Sequence, residues 1–187
     1  MPPKIIRLPS DLYPFRLSGL PQFHYGQYTL TNVFSRITKQ QRQACVDLWT
    51  RNGVLSQEQA WVRSAEVCYF ITLTSSKKLI GVNTLYVGRV LSGGPQLYLN
   101  RMFIDPIYRN SRLMITGTAM MLCFAKTELE KNGMPGVVNI NENRKLSRPG
   151  MGKIFSRLGY RKEGYQEGKE ILYFEFEGIR IEECSKA

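Results

Sequence analysis

The order of segments predicts an α+β (mixed α/β) fold, in which hairpins and helix crossovers share one mixed sheet flanked by helices. Three observations carry this. Residues 67–74 and 79–90 are β-rich runs joined through Lys77-Lys78, the mark of an antiparallel hairpin. Residues 38–51 and 111–131 carry apolar residues at helical spacing. After the second of these, strand and helix patterns alternate at 137–141, 150–158 and 170–176.

Each element has a local reason. Residues 1–26 hold Pro2, Pro3, Pro9, Pro14 and Pro21 and read as an extended arm, with Tyr13, Phe15, Phe23 and Tyr25 to hold it down. The main domain is then expected over 27–180, with 181–187 as a frayed tail. A first strand fits 28–34. The Thr38 hydroxyl suits an N-cap, and Asn52-Gly53 stops the helix that follows. Cys45, Leu48 and Trp49 give that helix one apolar face. Ser56 with Gln59 forms a capping box for a short helix to Ser64. A Ser92-Gly93-Gly94-Pro95 turn leads into a strand over 97–104, and the long apolar helix ends at Asn132-Gly133.

Composition bounds the function. A chain of 187 residues with 43% hydrophobic residues is one domain, or one with an arm, and can bury a core. Lys and Arg outnumber Asp and Glu by 26 to 15, a formal charge of +11. Anionic partners follow: nucleic acid, an acidic protein face or a polyphosphate cofactor. Cys45, Cys68, Cys123 and Cys184 show no metal-ligand spacing, and His24 is the sole histidine, so no zinc site is expected. Reduced thiols fit a cytoplasmic setting. The N-terminus lacks the apolar stretch of a signal peptide. The most apolar helix segment, 113–125, is shorter than the roughly 20 residues a bilayer requires, so no membrane partner is expected.

Chemistry concentrates where residues 97–104 meet the helix after them. The turn Asp105-Pro106 through Arg109-Asn110-Ser111-Arg112 opens that helix. The first amides of a helix are unpaired donors at the positive end of its dipole, so they attract an anion. Arg109 and Arg112 add charge-assisted hydrogen bonds to phosphate. This order of parts resembles the Gcn5-related N-acetyltransferase (GNAT) family, whose turn reads R/Q-x-x-G-x-G/A. Pro106 and Arg109 match it, while Arg112 and Met114 stand at the glycine positions. The resemblance spans 38–176 and is strongest after Leu97. It implies a twisted mixed sheet of about six to seven strands, splayed between the fourth and fifth. It also implies acetyl-CoA or another acyl-CoA as cofactor. Arg109 and the amides of Asn110, Ser111, Arg112 and Leu113 would hold the pyrophosphate. The backbone of Met102, Phe103 and Ile104 would pair with the pantetheine arm as an added strand does.

Asn139, Asn141 and Asn143 alternate along and beyond the fifth strand, which puts their amides on one face and Val138 and Ile140 on the other. By resemblance, Asn143 contacts the cofactor. Residues 152–160 resemble the family's Y-x-x-x-G-F/Y ending, with Phe155 where a tyrosine commonly protonates the departing thiolate. Phenylalanine has no proton to give. Ser156, Tyr108, Tyr160 or a water are the replacements. An alkyl thiolate with a pKa of about 8.5 can also leave unassisted. Asp105 and Glu142, at the ends of the two central strands, are candidate bases, or partners of Arg101 or Arg144.

Residues 144–162 hold seven basic residues and no acid: Arg144, Lys145, Arg148, Lys153, Arg157, Arg161 and Lys162. They suit the cofactor's 3′-phosphate, an anionic acceptor, or plain solvation. The leading function is an acyl-CoA-dependent N-acyltransferase acting on an amine, with nucleic acid or an acidic protein among the acceptors; oligomeric state is left open. Two alternatives stand beside it. Arg101, the Arg109-Asn110-Ser111 turn and residues 149–155 resemble phage Mom-type DNA adenine modification proteins, which carry G-x-x-G-x-I-Y there. With Phe155 and Arg112 at key positions, a non-catalytic scaffold binding protein or nucleic acid is the other.

Overall fold

The computed structural model describes residues 4–7, 22–109, 111–177 and 179–182. In chain order the elements are β1 (Lys4–Arg7), β2 (Gln22–Tyr25), β3 (Tyr28–Asn32), α1 (Lys39–Arg51), α2 (Gln57–Ser64), β4 (Val67–Leu73) and β5 (Leu79–Gly88). Then come β6 (Leu97–Ile104), α3 (Ser111–Phe124), β7 (Gly136–Asn141), α4 (Pro149–Arg157), β8 (Arg161–Gln166), β9 (Lys169–Glu175) and β10 (Ile179–Glu182). Eight strands form one mixed sheet, in the order β2-β3-β4-β5-β6-β7-β9-β8, and β1 pairs with β10 in parallel. The chain resolves into two compact units.

The first unit holds residues 20–86 and 101–121. Its strands β2 to β5 run antiparallel, and Gly26 turns β2 into β3 at φ +55°. Both expected caps form. Thr38 and Ser56 each accept from the amide three residues on, and Gln41 and Gln59 reach back to the cap amides. The capped helices bring Cys45, Val46, Leu48, Trp49 and Ala60 onto Val67, Phe70 and Val82, with Phe103 at the margin. On α3, a Cβ at Gly117 would stand 2.8 Å from Met102 Cε, so the end of the Met102 side chain fills the space glycine leaves on this helix.

The second unit comprises the described residues among 1–19, 87–100 and 122–187. β9 pairs antiparallel with β7 and β8. Residues 98–100 of β6 pair in parallel with Val137, Val138 and Asn139. Leu97, Val138 and Ile171 make one apolar cluster, with Val90, Ile140 and Tyr173 at its edge. Edge-on or tilted ring contacts link Phe155, Tyr160, Phe174, Phe176 and Tyr98. Burial pushes the thiols of Cys45 and Cys123 up to about 12, and that of Cys68 higher still.

The sheet has more strands than the expected six to seven. β2 lies within the stretch read as an extended arm, where the turn at Gly26 folds Phe23 against Leu30. β8 is an exposed, charged edge strand, and a reading built on apolar alternation passes over it. β10 begins before the expected tail; residues 8–21 of the arm and 183–187 of the tail lie outside the described residues. The long helix expected to reach 131 changes character after Phe124. A π-helical turn (Ala125–Leu129) and a 3-10 turn (Glu130–Asn132) follow, ending at Gly133 with φ +77°. The Thr127 hydroxyl bonds back to Cys123 O at 2.9 Å, a contact that loosens helical geometry. Among the described residues no helix is long and apolar enough to cross a membrane.

Candidate active site

In the first unit β6 ends at Ile104 and is followed by Asp105, whose amide donates to Ile80 O at 2.8 Å. Its side chain is 8% exposed; Oδ1 accepts from the Ile107 amide at 3.2 Å, and Oδ2 lies 3.5 Å from Arg51 Nη2. Asp105 therefore caps the 3-10 turn Pro106–Tyr108, and its ion-pair partner is Arg51. Arg109 folds back so that Nε donates to Ile104 O at 2.8 Å, with its guanidinium 5.6 Å from the Phe103 ring centroid. Lys78 Nζ lies 5.6 Å from the half-buried Tyr108 ring.

α3 then begins with no acid in its first turn. Arg112 is exposed and Leu113 buried. Asn110 lies outside the described residues. The Met114 sulfur accepts from the Thr118 hydroxyl at 3.8 Å, so this side chain runs along the helix toward its next turn. The amides of Ile107, Tyr108 and Arg109 are bonded within the turn, and the exposed Arg109 and Arg112 make the approach to α3 cationic, which suits an anion.

The β6–β7 ladder stops at Asn100 and Asn139. Beyond it, residues 101–104 have no ladder partner in β7 among the described residues. An unpaired strand edge accepts an extended chain by main-chain hydrogen bonds. Met102 and Phe103 on this stretch are half-buried and Ile104 is buried.

In the second unit the expected residues separate by exposure. Asn143 Oδ1 accepts from the Lys145 amide at 3.0 Å and caps the 3-10 turn Arg144–Ser147. Glu142 is exposed and makes no ion pair among the described residues. Phe155 is buried, 5.8 Å from the Tyr160 ring and edge-on to it, while Ser156 is exposed.

Asn139 and Asn141 belong to a hydrogen-bonded row. Asn100 Nδ2 donates to Asn139 Oδ1 (3.3 Å), Asn139 Nδ2 to Asn141 Oδ1 (2.8 Å), and Asn141 Nδ2 to Glu170 Oε2 (3.0 Å). Lys162 closes it with an ion pair to Glu170 Oε1 at 3.2 Å. The Tyr160 hydroxyl is buried beside the Asn100 amide without a hydrogen bond of normal geometry, and burial raises its pKa. Three asparagines in step announced part of this row. Asn100 and Glu170 carried no signal, because Asn100 stands next to the charged Arg101 and Glu170 closes the polar stretch 166–170, so neither stands out from its neighbours.

The basic segment divides as well. Arg161 is bound by Glu163 and Glu175, and Lys162 by Glu170. Lys145, Arg148, Lys153 and Arg157 are exposed, with no ion pair among the described residues.

No family model matches the sequence, and no curated protein does. Solved structures do match in shape. A ribosomal-protein-S5-alanine acetyltransferase from Vibrio fischeri superposes with TM-score 0.54 at 14% identity, covering 81% of this chain and 94% of its own. A protein assigned to the GnaT acetyltransferase family from Bordetella pertussis gives 0.55 at 16%, covering 82% and 98%. An acetyltransferase from Agrobacterium tumefaciens gives 0.55 at 13%, covering 83% and 94%. The chain has the fold of the Gcn5-related acetyltransferases. Identities this low establish the fold alone, a Gcn5-related mixed sheet of eight strands with four α-helices among the described residues.

Proposed function

We propose that the chain is an acyl-CoA-dependent N-acyltransferase, with acetyl-CoA the simplest donor and an amine on an anionic macromolecule the acceptor. One observation supports this most: an unpaired strand edge at 101–104 runs into a cationic turn and an acid-free helix start. Arg109 and the first amides of α3 would hold the pyrophosphate, and the backbone of Met102, Phe103 and Ile104 would pair with the arm. The residues at the family's glycine positions fit the group, since Arg112 points to solvent and Met114 is tied to Thr118. When bound, the cofactor supplies an activated acyl carbon.

The chain's own groups do the rest. Asp105 already carries two partners and fixes the turn. Asn143, capping the turn after β7, is the second unit's candidate for a cofactor contact. Glu142, Ser156 and Tyr108 are free to move a proton at the surface. Lys145, Arg148, Lys153 and Arg157 form the face for an anionic acceptor.

Calorimetry with acetyl-CoA tests the reading. Micromolar binding, about 8 kcal/mol, is expected, and no heat at any concentration overturns it. The burial of Phe155, which fills the usual acid's place with a core ring, favours a second reading as a binding scaffold. Binding without thiol release for any amine would select that second reading.

A further inference from the structure

We propose that Glu66 is the carboxylate that receives the acceptor amine and takes its proton, in a cluster with Arg101 and Tyr86. This rests on the acyltransferase reading above.

Glu66 sits between α2 and β4 on a fixed backbone. Its amide donates to Arg63 O at 3.0 Å and its carbonyl accepts from Leu85 N at 2.8 Å. The side chain is 26% exposed, yet Oε2 is buried and forms no hydrogen bond. It lies 3.6 Å from Arg101 Nη1. Arg101 turns its other nitrogen to the Tyr86 hydroxyl and lies 4.3 Å from that ring's centroid. Tyr86 therefore orients the guanidinium, and the carboxylate stays near a charge without being consumed by it. Burial raises the Glu66 pKa, opposed by Arg101 and then by Arg63. With Tyr86 on β5, these are the charged and titratable groups facing it. A carboxylate shifted in this direction is suited to general-base work near neutral pH.

The cluster's place on β6 gives the argument its chemistry. Side chains alternate along a strand. Phe103 faces the α1–α2 cluster and Met102 meets Gly117 of α3, so Arg101 stands on the Phe103 side. An arm anchored at the start of α3 and running back along residues 102–104 covers about 10 Å. Its thioester end would then come level with Arg101. From Glu66, an amine would reach it directly. As the amine nitrogen bonds to the acyl carbon, the C–S bond breaks and its electron pair leaves with sulfur. The nitrogen's proton passes to the Glu66 carboxylate and on to solvent, leaving the amide and a thiolate that takes a proton back from solvent.

The test uses the full chain, acetyl-CoA as donor and butylamine as acceptor probe. Glu66→Gln is expected to bind acetyl-CoA within twofold of the parent. Thiol release should fall about 10²-fold and lose the acid limb of its pH profile. Saturation-transfer NMR should show butylammonium contact with the parent–acetyl-CoA complex and none with Glu66→Gln. Glu66→Asp keeps the charge but draws it back, and should weaken that contact severalfold, which covers the case of a Gln variant that does not fold. Equal butylammonium contact in parent and variants, or none in the parent, overturns the proposal. An unchanged acid limb in Glu66→Gln also overturns it. Failure of the parent to bind acetyl-CoA overturns the acyl-donor reading first, and this proposal with it.

Discussion

The chain passes from strand to helix twice in comparable fashion, from β6 to α3 and from β7 to α4, and the two crossings are built on opposite terms. At the first, side chains help to shape the backbone: Asp105 caps the turn, and one nitrogen of the exposed Arg109, Nε, bonds back to Ile104 O. What this crossing presents is positive charge, from the exposed Arg109 and Arg112. At the second, Asn143 caps a short turn, and α4 then opens with Gly150 and Gly152, where an added Cβ would meet nothing within 4 Å. The polar side chains of β7 bond to one another in a buried row. A rigid turn suits a ligand recognised by charge and backbone. A row of mutually bonded amides instead holds strands in register, and only the end of the row has hydrogen-bonding capacity left.

Four variants sharpen or break that contrast. Asn141→Ala should be the most damaging. It strips a donor from the 8%-exposed Glu170 carboxylate and an acceptor from Asn139. A loss of about 3 kcal/mol is expected in urea unfolding; less than a third of that would mean the row is not a unit. Asp105→Ala removes a cap and the Arg51 pair, and should cost about 2 kcal/mol by the same measurement. It should also lower acetyl-CoA affinity, because the donors it holds in place would scatter. Arg109→Ala should leave stability nearly intact and weaken acetyl-CoA about tenfold in calorimetry, or about 1.4 kcal/mol. An equal loss of stability would make Arg109 a structural residue only. Replacing Lys145, Arg148, Lys153 and Arg157 by alanine should change stability by less than about 0.5 kcal/mol per site. The salt dependence of binding to duplex DNA or heparin should flatten, and an unchanged slope would move the anionic face elsewhere.

Much of the fold was legible where its causes are local. Thr38 with Gln41 and Ser56 with Gln59 set two helix starts within four residues, and both form. Elements whose causes lie elsewhere were missed. β8 exists because β9 offers it a ladder, and nothing in its charged sequence announces that. The break after Phe124 falls where Thr127 bonds back to Cys123 O, but Thr50 makes the same bond inside an unbroken α1, so the residue type alone does not announce it. The site divides in the same way. Asp105, Tyr108 and Arg109 are neighbours in sequence, so their turn could be anticipated. Glu66 and Arg101, or Asn100 and Asn139, meet only because strands pair.

One rung of the sheet has a consequence for the length of a seam. Asn100 and Asn139 close the last pair of the β6–β7 ladder and are also joined through their side-chain amides. The end of that ladder is therefore set by a double stitch, once through the main chain and once through the side chains. Lengthening the seam by one rung would carry its end about 3.3 Å along β7, and would cost the two amides the partner each now has in the other.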